Sequence, residues 1–123
     1  MSGDDIETTG FLLRIRPGMA AEYKRRHDEI WPEMKAMLLR SGILHYEIYL
    51  DPATDMLFAH IIRRKSPDAI DRHNDPVMLR WRAWMAEVLV MDGDRAWRRD
   101  LEPMFHLSAG GAPIATGPAS AGG

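Results

Sequence analysis

From Phe11 to Arg16 the chain alternates Phe11, Leu13 and Ile15 against Leu12, Arg14 and Arg16, a period of two that predicts a strand stopped by Pro17-Gly18. The period then changes. Tyr23, His27, Ile30, Trp31, Met34 and Leu38 recur at steps of three and four between Met19 and Arg40, one face of a helix that Ser41-Gly42 ends. Pro32 has no N–H to bond back to Asp28 and disfavours helical angles at Trp31, so the helix should kink or restart with Pro32 in the first turn of a second piece.

Ile43 to Asp51 and Met56 to Arg63 predict two strands joined by the turn Pro52-Ala53-Thr54-Asp55, a hairpin. With Asp51 opposite Met56, Glu47 faces His60 and Tyr46 faces Ile61. One side then carries Tyr46, Ile48, Leu50, Leu57, Ala59 and Ile61, the other His45, Glu47, Tyr49, Phe58, His60 and Ile62. The first side is the more apolar and belongs under the helices. Ser66-Pro67 has the chemistry of a helix start, and Asn74-Asp75-Pro76 that of a break and restart. Val77, Met78, Trp81, Trp84, Met85, Val88 and Leu89 follow as a helical stripe ending before Asp92-Gly93, and Leu101 to Leu107 predicts a last, edge strand.

The order strand, helix, strand, strand, helix, strand is the βαββαβ pattern of an α+β, ferredoxin-like fold with an antiparallel sheet. Tyr49, Phe58 and Ile62 are left on the helix-free face, and a homodimer is the economical way to cover them. Residues 1–10 and 108–123 read as disordered tails flanking one domain at 11–107, because the Gly/Ala/Pro-rich end holds a single large apolar residue, Ile114.

Composition narrows the function classes. The chain has 123 residues, no Cys, and a net charge of -2 from 16 basic and 18 acidic residues. That excludes thiolate chemistry and disulfides, fits a reducing cytoplasm, and offers no electrostatic footprint for nucleic acid. Arg63-Arg64-Lys65, the densest basic run, reads as a solvated strand edge. The N-terminus lacks the basic and apolar parts of a secretory signal, and charges interrupt every apolar run before membrane-spanning length, so no membrane partner is expected.

Tyr23 and His27, four apart, project from one helix face. They can be a half-buried core pair with satisfied polar tips, or a site, since imidazole both gives and takes a proton near neutrality. His45, His60, His73 and His106 show no metal-ligand spacing, so no metal is expected, and His60 with Glu47 reads as a cross-strand pair. Trp81 and Trp84 fit a packed core, but an aromatic face beside a histidine also suits the C–H surface of a sugar. Tyr46 has the same double reading, as its hydroxyl needs a partner under the helices. No phosphate loop, nucleophile elbow or dinucleotide fingerprint is present.

The segments EYKRRHDEIWPEM (Glu22 to Met34), HYEIYLD (His45 to Asp51), RWRAWM (Arg80 to Met85) and MFHL (Met104 to Leu107) resemble the L-rhamnose mutarotase family over the whole globular part. That resemblance implies a dimeric α/β-barrel type of ferredoxin-like fold with a pocket between sheet and helices. It also implies His27 as proton donor, Tyr23 and Tyr46 as sugar-binding tyrosines, Trp81 as a stacking wall, and an anomer-interconverting reaction on a monosaccharide that needs no cofactor. Arg82 departs from the family pattern, which has a second aromatic there. Two other classes share the architecture or the residues: a cofactor-free dimeric-barrel monooxygenase and a non-enzymatic sugar-binding module.

Overall fold

The computed structural model describes residues 6–65, 72–107 and 109. The expected helix start at Ser66-Pro67 lies outside the described residues, as do positions 1–5 and, Ala109 apart, the expected tail 108–123.

Strand β1 (Ile6–Arg14) is followed by helices α1 (Ala20–Asp28) and α2 (Pro32–Arg40), then the strands β2 (Ile43–Asp51) and β3 (Met56–Arg64). A short turn of tight helix at Arg72–Asn74 leads to α3 (Pro76–Met85), and the small strands β4 (Met91–Asp92), β5 (Arg95–Ala96) and β6 (Arg99–Leu101) close the described fold. The main sheet has the order β2-β3-β1-β6, and each neighbouring pair is antiparallel. β1 and β2 therefore run the same way with β3 between them, the split arrangement that the order of elements predicts.

Two strand boundaries correct the sequence reading. β1 begins at Ile6, so residues 6–10 are ladder rather than tail: Ile6 pairs with Arg64 and Gly10 with His60. Their apolar content is low, but β3 offers nine residues of edge, and Thr8 and Thr9 are β-branched residues suited to a strand. At the other end, β6 is Arg99–Leu101 and residues 102–107 form no strand, since Pro103 has no N–H to continue the ladder on β1.

The break at Pro32 forms as expected. Trp31 takes extended angles (φ -63°, ψ 137°), as a residue before proline must, and Pro32 opens α2. Gly42 then turns the chain into β2 with φ +103°, and a Cβ there would lie 3.1 Å from the Arg64 carbonyl oxygen. Asp75 caps α3 by accepting from the Val77 N–H at 2.9 Å. The α3 stripe is shorter than its apolar pattern: Val88 and Leu89 lie past the helix, where Arg16 N–H donates to Val88 O and Val90 N–H to Arg14 O, fastening this return to the end of β1.

The hairpin register is the expected one, with Asp51 opposite Met56, Glu47 opposite His60 and Tyr46 opposite Ile61. A bulge between Ile43 and His45 adds Leu44 as an extra residue. It re-aims Ile43, which simple alternation would put beside His45, into the core with Phe11, Ala59 and Ile61. The larger core lies between sheet and helices, where Met34, Met37, Met78, Trp81 and Met85 meet Ile15 and Leu57.

Candidate active site

One turn of α1 sets the geometry of the predicted site. Tyr23 and His27 lie with ring centroids 4.4 Å apart and planes tilted by 32°, and His27 meets Trp81 of α3 edge-on at 5.3 Å. Trp81 is edge-on to Trp31 as well, and Trp31 stacks on Trp84, so the histidine sits at the end of an aromatic block. Trp81 is only 8% exposed, which makes it a wall behind His27 more than an open platform.

The imidazole is oriented by its own helix. Its Nδ1 lies 3.2 Å from the Tyr23 carbonyl oxygen, which can only accept, so Nδ1 carries the proton and the lone pair of the neutral ring is on Nε2. Burial pushes the His27 pKa below its ordinary value, outweighing that hydrogen bond and the charge of Asp28, which pull the other way. The neutral ring is thus the resting form at neutrality. Burial raises the phenol of Tyr23, helped by Tyr46, and raises that of Tyr46, so both hydroxyls stay protonated donors.

Arg26, which sequence reasoning missed, holds this constellation together. It is a buried cation paired with Glu22 at 2.7 Å and Glu87 at 2.9 Å, it donates to the Trp84 carbonyl at 2.7 Å, and its guanidinium lies 4.7 Å from the Trp84 ring centre. The Trp84 carbonyl is at the C-terminal end of α3, where a cation is favoured. Arg26 therefore fixes α1 against α3, and with it His27 against Trp81. The one signal in the sequence was the four-residue spacing from Glu22.

Tyr46 stands apart from that block. It shares the helix side of the sheet with Ile61 and Thr9 and keeps 40% of its surface exposed. Beside it opens a cavity of about 310 Å³ lined by Glu7, Thr9, Phe11, Ile61, Arg63, Arg72, His73 and Arg98. Tyr23, His27, Tyr46 and Trp81 are not among its walls. Tyr46 adjoins it through its cross-strand neighbours Ile61 and Thr9, and its phenol feels the charges of Arg98 and Arg72. Polar groups are plentiful there: Arg63 pairs with Glu7 at 3.0 Å, and its buried Nε has no hydrogen-bond partner among the described residues. Arg82 donates to the carbonyl of His73 at 3.1 Å and to its Nδ1 at 3.0 Å, bracing the turn that lines the cavity.

On the opposite, helix-free side, His45, Glu47 and His60 come together with ligand atoms within 4.8 Å of one another. The sequence reading expected no metal and took Glu47 with His60 as a cross-strand pair, which the register and their hydrogen bond bear out; His45, two residues before Glu47 on β2, joins them.

The family model described as L-rhamnose mutarotase matches residues 8–107. An L-rhamnose mutarotase of Burkholderia orbicola is 44% identical over 104 residues, covering 83% of this chain and 99% of its own. One from Brucella anthropi is 40% identical over 102 residues, covering 82% and 96%. The crystal structure of an L-rhamnose mutarotase from Formosa agariphila superposes with a TM-score of 0.74 at 29% identity, covering 83% of this chain and 99% of that one. A Nitrosomonas europaea protein provisionally assigned as an antibiotic biosynthesis monooxygenase shares the fold alone, with a TM-score of 0.57 at 12% identity over 94% of this chain and 98% of that one. Family match, relatives and the shared fold agree: the chain belongs to the L-rhamnose mutarotase family.

Proposed function

We propose that the chain interconverts the α and β anomers of L-rhamnose, or of a similar deoxyaldose, by acid–base opening and closure of the pyranose ring. The observation that carries this reading is the fixed tautomer of His27: a neutral ring held by the Tyr23 carbonyl, with its Nε2 lone pair available to a hydroxyl. Nε2 takes the proton of the anomeric hydroxyl as the bond from C1 to the ring oxygen breaks. The imidazolium gives that proton to the ring oxygen, now released from C1 and left on C5 as a hydroxyl, so that C1 becomes the aldehyde carbon. The aldehyde turns about its C1–C2 bond, and the same steps in reverse close the ring on its other face. General acid–base help of this kind contributes about 10² to 10⁴ in rate. Tyr23 and Tyr46, kept as neutral phenols, hold sugar hydroxyls, and the apolar wall at Trp81 suits the deoxysugar's methyl group.

The enzyme works as a homodimer in the cytoplasm in this reading. Tyr49 is 62% and Phe58 45% exposed on the helix-free side, and Met104, Phe105 and Leu107 are almost fully exposed, more apolar surface than a monomer keeps in water. Saturation-transfer NMR on equilibrated L-rhamnose, L-fucose and other aldoses tests the activity. Exchange of magnetisation between anomers, strongest for L-rhamnose, is the expected result. Tight sugar binding with no exchange would instead make the chain a binding module.

A further inference from the structure

The helix-free sheet face carries a polar constellation that ring opening does not use. His45 Nε2 lies 3.2 Å from Glu47 Oε1, and His60 Nδ1 lies 3.0 Å from Glu47 Oε2. Tyr49 donates its hydroxyl to Glu47 Oε1 at 2.9 Å, and Thr8 Oγ1 lies 2.6 Å from His60 Nε2. We infer that His45, Glu47 and His60 form a binding site for a divalent transition-metal ion of the zinc class.

Three features support it. First, the donor set, two imidazoles and a carboxylate, is one that zinc takes. Second, the spacing fits: tetrahedral bonds of about 2.0 Å put neighbouring ligand atoms about 3.3 Å apart, so an ion can enter between these groups with small side-chain movements. Third, His60 already has an outer partner. When Nδ1 turns to the ion, the ring proton moves to Nε2 and is donated to Thr8 Oγ1, the kind of support that orients a ligating histidine. The fourth position belongs to water or to a facing copy of the chain.

The test titrates untagged, chelator-treated protein with cobalt(II) and with zinc(II). Saturable binding of one ion per chain is expected, with cobalt giving the intense visible bands of a four-coordinate site. His45→Gln and His60→Gln should each weaken binding by at least about tenfold, Thr8→Val by about tenfold through its outer hydrogen bond, and His106→Gln should change nothing. His45 is half exposed, so its variant keeps the fold, which circular dichroism checks. Absence of saturable binding by folded protein overturns the proposal, and so does binding that survives the double variant at His45 and His60.

Discussion

At the scale of single residues, the site turns on how burial sets the protonation of His27. Its pKa lies below the ordinary value of about 6.5, so in the window between the two values the unfolded chain binds a proton that the folded chain does not. Stability therefore falls as pH is lowered through that window, whereas catalysis by the neutral ring is lost only at its lower edge, as pH falls through the folded-state pKa. A pH profile of anomer exchange should have an acid limb centred below about 6.5, and His27→Gln should remove that window's contribution to the pH dependence of melting. Arg26→Met should lower the midpoint of urea unfolding, because it leaves the Trp84 carbonyl without its donor and Glu22 and Glu87 without their shared cation. Its exchange rate should fall too, since α1 and α3 lose their clamp. Tyr23 and His27 were legible as neighbours from their four-residue spacing. Arg26 was not, because a charged position in a helix pattern reads as solvent-facing until a neighbouring helix covers it.

At the scale of elements, local chemistry announced what it controls. Pro32 breaks the helix through its missing N–H, and the hairpin register follows from a four-residue turn and alternation on each side. Features set by a distant partner were not legible. β1 reaches back to Ile6 because β3 is long enough to pair with it, and the bulge at Leu44 depends on how β2 leaves Gly42. Gly42 gives the prediction at this scale: Gly42→Ala adds a Cβ 3.1 Å from the Arg64 carbonyl at φ +103°, so denaturant unfolding should show a loss of about 1 to 3 kcal/mol. The same change at Gly18, where a Cβ would meet nothing within 4 Å, should cost less, its φ of +81° being the only strain.

At the scale of the whole molecule, the sheet divides two kinds of surface. The helix side holds the aromatic block, Tyr46 and the polar cavity, while the other side holds exposed aromatics around His45, Glu47 and His60. That cavity was not legible, because Glu7, Arg72 and Arg98 come from three separate parts of the chain. Sedimentation at micromolar concentration should show a dimer, and Phe58→Asp should shift it toward monomer; a wild-type monomer would remove the dimer from this account. The central claim is proton transfer by His27, and the most direct measurement is anomer exchange in His27→Gln by saturation-transfer NMR at saturating L-rhamnose. The variant keeps bulk and hydrogen bonding but cannot take up a proton near neutrality, so exchange should fall at least about 100-fold with sugar binding largely retained. Exchange as fast as wild type would contradict the assignment and leave His27 as a buried histidine of the core.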